Sequence, residues 1–242
     1  MERKSFLRSL IVGAVSTPVL WEACKKDSAA AAASTETVSN SGSGSSSSTC
    51  AVTPTETEGP FPTKVPSSYV RSDITDGQSG YKLISKITIA NSNNNCSALS
   101  GVIVDIWHCD SAGNYSEYGG SGMQSTNYQS VHFLRGRQVT DANGLVTFTS
   151  IFPGWYTGRA THIHVHVYSS AGTSLKVTQI AFPEGTGTAV AIVNGYSKGM
   201  SGYTLNANDN VFSDDTNKIE MATVTGSIAA GFDLSIKINV PG

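Results

Sequence analysis

The chain has 242 residues, enough for one domain plus a targeting segment. Hydrophobic residues make up 39% and charged residues 14%, with 24 glycines and a formal net charge of −2. No basic run lies beyond the N-terminus and no long Leu/Ala/Glu/Lys pattern occurs, which argues against a nucleic-acid partner and against an extended helical build, and for a β-rich domain with many turns.

In chain order, the N-terminus reads as an export signal. Arg3, Lys4 and Arg8 form a positive n-region, and the apolar run from Ser9 to Trp21, broken by Pro18, is too short for a spanning helix of about 20 residues. Ala23-Cys24 resembles a bacterial lipoprotein cleavage site, with Cys24 as the lipidated first residue. Arg3 to Leu7 also resembles a relaxed twin-arginine signal, and an ordinary secretory signal is the plainer alternative. Every version puts the mature domain outside the cytoplasm, anchored to a membrane if Cys24 is lipidated. Residues 25–49 are rich in Ala, Ser, Thr and Gly, cannot bury a core and read as a flexible tether. The expected organisation is therefore signal 1–24, tether 25–49 and folded domain 50–242. In an oxidising compartment Cys50, Cys96 and Cys109 allow one internal disulfide, for which we favour a pair involving Cys96. No C-x2-C pair supports a cysteine zinc site.

The folded part opens with a turn-rich stretch, Cys50 to Pro62, whose prolines exclude a helix interior or a central strand. Strands are predicted at Lys82–Ala90, Gly101–His108, Phe133–Val139, Leu145–Thr149, His162–Tyr168, Ser174–Phe182, Lys218–Thr225 and Phe232–Val240. Asn143-Gly144 marks a hairpin turn. Tyr115 and Tyr118 lie on a loop after the second strand, and residues 183–218 form a long excursion. Seven to eight short, mostly antiparallel strands with long loops predict an all-β fold, a β-sandwich.

His162, His164 and His166 are three of the five histidines and fall at every second position. A strand has a period of two, so all three face one way, a simple arrangement for a transition metal. Tyrosine, with an ordinary pKa of about 10, becomes a phenolate on a trivalent metal and favours ferric over ferrous iron. The absence of an acidic residue in the histidine strand and the six residues before it weakens a ferrous two-histidine, one-carboxylate site. The bland alternative is a polar strand face.

Thr55–Phe61, Val104–Ser116, Phe133–Gly144, Pro153–Arg159, His162–His164 and Thr178–Ile180, in this order, together resemble the intradiol ring-cleavage dioxygenases, the catechol 1,2- and protocatechuate 3,4-dioxygenase group. The resemblance covers about residues 50–240 and points to a secreted or lipoprotein single-domain branch, since no room exists for the helical N-terminal dimerisation segment of the catechol enzymes. It implies an Fe(III) centre held by Tyr115, Tyr156, His162 and His164, with Tyr156 the ligand that leaves when substrate binds. It implies that Arg159 and Gln179 line the substrate and that a catechol and O2 give a muconate-type diacid. Ala160-Thr161 stands where many members have proline, and the short gap from Tyr156 to His162 trims the loop over the site. Substrate choice and oligomeric state stay open, and a carboxylated catechol would need a cation that the motifs do not place.

Of the neighbouring residues, His166 is expected to be a neighbour or surface residue, His108 a packing residue, and Tyr118 a pocket wall. Glu56 and Glu58 are expected to be structural, with Gly59-Pro60-Phe61 turning near the pocket. Trp107 and Trp155 are expected in the core, Trp155 with a possible second use at the site. Arg135 and Arg137, alternating on a strand, are expected to face solvent. Two rival functions remain: a non-catalytic binding lipoprotein, and a zinc or copper site on His162, His164 and His166.

Overall fold

The computed structural model describes residues 50–242. The signal at 1–24, the tether at 25–49 and the anchor at Cys24 lie outside the described residues. Nine strands are found among the described residues: β1 (Lys82–Asn91), β2 (Ser97–Ala98), β3 (Ile103–Trp107), β4 (Arg135–Val139), β5 (Leu145–Ile151), β6 (His162–Tyr168), β7 (Ser174–Ala181), β8 (Thr223–Ser227) and β9 (Gly231–Val240). They form a five-stranded sheet in the order β2-β1-β9-β8, with β5 also on β1, and a four-stranded sheet in the order β4-β3-β6-β7. Every pairing is antiparallel except that of β1 with β9. The all-β sandwich expected from the sequence is the fold observed.

Alternation builds the core. Leu83, Ile87 and Ile89 of β1 and Phe232, Leu234 and Ile238 of β9 meet Val104 and Ile106 of β3 and Ile163, Val165 and Val167 of β6 in one buried cluster. Because strand side chains alternate, His162, His164 and His166 must then lie on the outer face of the four-stranded sheet. They are buried all the same, because the segment from Cys50 to Phe61 is laid over them. It bonds first to β9, through Thr53 N–H to Asn239 O at 3.0 Å, and then to β7, through Glu56 N–H to Val177 O at 2.9 Å. A Cys50–Cys96 disulfide ties its start to the residue before β2, a pair involving Cys96 as favoured from the sequence, and Cys109 is a buried free thiol.

Of the strand boundaries that differ from expectation, two have a local cause. Leu134 has φ +57, so β4 starts at Arg135 rather than Phe133. Lys218–Met221 is a turn instead of the start of β8, since the Asp215 carboxylate accepts from Ile219 N–H at 2.9 Å and Glu220 N–H at 2.7 Å and Lys218 has φ +54. Within the excursion, Thr188 caps the short helix α1 (Ala189–Val193), which Asn194 closes in the left-handed conformation.

Candidate active site

Cross-strand pairing sets a row across the outer face of the four-stranded sheet: Arg135 opposite Trp107, Trp107 opposite His164, His164 opposite Gln179. The Trp107 indole stacks flat on the His164 ring, centroids 4.9 Å apart and planes within 1°. Gly59 lies against the edge of the same ring: a Cβ there would stand 2.9 Å from His164 Cε1, and the φ of +68 suits glycine. The two imidazoles meet at their Nε2 atoms, 3.1 Å apart, and Tyr115 Oη lies 3.2 Å from His162 Nε2.

Tyr115 reaches this point because two loops lock together. Asp110 Oδ1 accepts from Ala112 N–H and Asn114 N–H, and Gly154 N–H donates to Asp110 O. Gly113, at φ +92, lets the Tyr115 loop pass beneath Trp155 O, where a Cβ would come within 2.2 Å. Gln124 exchanges two hydrogen bonds with the Tyr115 backbone, and Phe61 stacks on the Tyr115 ring at 4.8 Å.

The protonation pattern follows from burial. His162 Nδ1–H donates to Ala160 O at 2.6 Å, so its Nε2 carries the lone pair. Burial, helped by the Arg159 charge, pushes the His162 pKa down to about 3 and that of His164 well below its ordinary value, so both rings are neutral. Burial pushes the Tyr115 phenol well above 10. His164 Nδ1 is buried without a hydrogen-bond partner, which costs roughly 1–3 kcal/mol in a site built only for stability. Two imidazole nitrogens and a phenol oxygen converging in a closed space fit a transition-metal cation, since bonds of about 2.1 Å place neighbouring donors about 3 Å apart.

Tyr156 packs edge-on against the same cluster, its ring 5.8 Å from Tyr115 and 5.6 Å from His162. Among the described residues no hydrogen bond joins its hydroxyl to the three converged atoms. Instead Tyr156 and Arg159 line a cavity of about 410 Å³ bounded by Thr57, Gly59, Pro60, Met123 and Asn210. Arg159 is anchored from behind: Nε donates to Asp209 at 2.9 and 3.1 Å, and Nη2 to Gln179 Oε1 at 2.6 Å. Gln179 in turn donates to Thr57 O at 2.9 Å. Gln179 therefore stands behind Arg159 rather than on the cavity wall.

His166 leaves the site. Its Nδ1 contacts Glu58 Oε1 at 2.9 Å and Tyr168 Oη at 2.8 Å, and its Nε2 contacts Ser174 Oγ at 2.8 Å. Among the described residues no group of three or more His, Cys, Asp or Glu side chains is placed to hold a metal. That weighs against the all-histidine zinc or copper arrangement. His108 is a packing residue, bonded to Cys109 O and Ser150 Oγ. Tyr118 donates to Pro62 O, away from the donors. Trp155 is a core residue, its Nε1–H on Gly199 O.

Arg135 corrects the sequence expectation. It is fully buried and donates to Phe61 O, Thr63 Oγ1, Ser116 Oγ and Ser116 O, clamping the Tyr115 loop to the overlying segment. Arg137 is partly exposed and forms a two-armed pair with Asp105 at 2.5 and 2.6 Å. Asp209 and Arg135 escaped sequence reasoning. Asp209 sits in a polar, aperiodic run, and the alternation that places Arg135 on an outer face does not say that the face is covered.

Residues 62–161 match the dioxygenase family model, which includes Tyr115, Tyr156 and Arg159 and stops one residue before His162. Among solved structures, an intradiol ring-cleavage dioxygenase from Tetranychus urticae is 27% identical, covering 79% of this chain and 96% of that one at a TM-score of 0.68. The dioxygenase domain of a carbohydrate-binding fusion from Streptomyces sp. SirexAA-E is 24% identical, covering 78% and 97% at a TM-score of 0.55. The 3-chlorocatechol 1,2-dioxygenase of Rhodococcus opacus 1CP is 19% identical, covering 78% and 72% at 0.52, and shares the fold. Comparison with curated proteins returns no match. The family resemblance carried by the sequence motifs is the one that the family model and the solved structures return: both are dioxygenases, the solved ones intradiol ring-cleavage enzymes.

Proposed function

We propose that this chain is a non-haem Fe(III) intradiol dioxygenase, inserting both atoms of O2 into a catechol-type aromatic to give a muconate-type diacid. The observation that carries this reading is the convergence of Tyr115 Oη and His164 Nε2 on His162 Nε2, at 3.2 and 3.1 Å, with the His162 tautomer fixed by Ala160 O. These three residues would hold the iron, with Tyr156 as a fourth ligand beside them. Fe(III), when bound, supplies the positive charge that ionises phenols and the electron withdrawal that opens an ionised catechol ring to O2.

The chain's own residues do the rest. The cavity beside Tyr156 admits the ring and the overlying segment excludes water behind it. Tyr156 Oη, as a phenolate, takes a proton from a catechol hydroxyl. Arg159, held by Asp209 and Gln179, turns fixed positive charge toward the cavity, where negative charge develops during ring opening.

Iron-loaded protein is expected to be purple-red from phenolate-to-iron charge transfer, to bleach on reduction, and to convert catechol and O2 to a ring-opened diacid seen by mass spectrometry. Colourless protein after full ferric loading would overturn the ligand set. Tyr115→Phe is expected to lose both iron and colour. We also propose export and a lipid anchor at Cys24, a reading that the Cys50–Cys96 disulfide supports because such bonds persist in oxidising compartments. Labelled palmitate should enter the native chain and not the Cys24→Ser variant.

A further inference from the structure

A second cavity, of about 350 Å³, adjoins the first. The two share Met123, Tyr156 and Thr157, and the second is completed by Gly113, Asn114 and Lys198 among its lining. Lys198 ends the short 3-10 turn Tyr196–Lys198. Its ammonium donates to Trp155 O at 2.8 Å and stands 3.9 Å from the centroid of the Trp155 ring. Both partners are neutral. Among the described residues no carboxylate pairs with Lys198, and no acidic side chain lines either cavity.

An ammonium has three donors, and one is used here. The floor beside it is backbone at Gly113, where an added Cβ would stand 3.4 Å from Lys198 Nζ. Lys198 is the one charged residue lining this cavity, and its two contacts orient its solvent-exposed side chain without neutralising it. A group entering past Tyr156 meets a single positive charge with free donors. No arginine and no second lysine lies there, so the site suits a singly charged carboxylate better than a phosphate or sulfate ester.

On the dioxygenase reading, we propose that this second cavity is a subsite for an anionic substituent of the catechol ring and that Lys198 receives it. The preferred substrates are then catechols bearing a carboxylate on the ring or on a short side chain.

The test compares 3,4-dihydroxybenzoate with its primary amide, which has nearly the same shape and no charge. Equilibrium binding to the full chain is followed by tryptophan fluorescence. The native protein is expected to bind the acid about tenfold more tightly than the amide, as one charge-assisted hydrogen bond would give. Raising the salt should shrink that ratio. In Lys198→Met the ratio should collapse to near one, while Lys198→Arg keeps most of it. The same ratios should appear in kcat/KM, chiefly through KM. The salt titration of the native protein and the Lys198→Arg variant read the same contact if Lys198→Met folds poorly. Equal binding of acid and amide by the native protein, or an acid preference that survives in Lys198→Met, would overturn the proposal. A protein that shows the Lys198-dependent preference yet opens no catechol ring contradicts the dioxygenase reading and leaves the subsite standing. One that opens catechol without the preference does the reverse.

Discussion

Asp209 decides where the Arg159 charge points. Its carboxylate is fully buried and takes Arg159 Nε, Ala160 N–H and Val211 N–H together. Breaking such a pair strands a buried guanidinium, typically at a cost of about 3–5 kcal/mol. Asp209→Asn keeps the shape and loses the charge, so a smaller loss of about 2 kcal/mol in chemical denaturation is expected; on the proposed function, kcat falls more than KM rises, since Arg159 would act on developing charge. An unchanged kcat would mean that Arg159 holds its place without Asp209. Gly59 makes a second residue-scale case. Gly59→Ala pays the left-handed penalty of about 1 kcal/mol and drives a methyl into His164 Cε1. On the proposed ferric site, weaker iron retention, measured by competition with a chelator, should accompany the lost stability; stability loss alone would show that the His164 ring can give way.

At the scale of elements, β6 shows how strand periodicity serves two purposes. Its odd-numbered positions, Ile163, Val165 and Val167, fill the core, and its even-numbered ones carry the histidines under a covering segment. Next door, β7 is extended at its edge by the bridge from Ala181 to Met221, which brings Glu220 under Thr178. Burial, reinforced by Glu56, Asp215 and Asp214, raises the Glu220 pKa to about 8 from 4.5. Its Oε2 has no hydrogen-bond partner, so no donor there holds the ionised form. Above pH 4.5 the unfolded chain releases this proton while the folded chain keeps it, so stability falls as pH rises toward about 8 and then levels. Glu220→Gln should match the native protein at pH 4 and exceed it at pH 9, by roughly 3 kcal/mol. Equal pH profiles for thermal unfolding would place the Glu220 proton elsewhere. This edge also marks how far the sequence is legible. Alternation announced β6, β7 and their histidines, and ordered motifs announced Tyr115, Tyr156 and Arg159. Glu220, Asp209 and Arg135 were silent because their roles come from packing between segments about 40 to 75 residues apart, which no local period encodes.

For the whole molecule, the segment from Cys50 to Phe61 joins the two sheets and closes the candidate site. It starts at the Cys50–Cys96 bond beside β2, pairs with β9 at Asn239 and with β7 at Val177, and ends with Gly59 on His164 and Phe61 on Tyr115. Those last contacts are made by an irregular stretch with few hydrogen bonds of its own, so its order depends on where its ends are fixed. Phe61 O is fixed by Arg135. Cys50 is fixed by the disulfide, which closes a loop across a sequence separation of 46 residues. Limiting the unfolded chain in this way stabilises the fold by about 4 kcal/mol on the chain-entropy account. Reduction, or the Cys50→Ser variant, is expected to lower the unfolding midpoint clearly and to speed amide exchange at Glu56 N–H, the last backbone bond by which the segment holds a strand. Exchange at Val165, deep in β6, should change only as far as global stability does. If Glu56 exchanges no faster than Val165 in the reduced protein, the covering segment is held by its packing on the histidine row alone. The disulfide would then stabilise the sandwich without guarding the site.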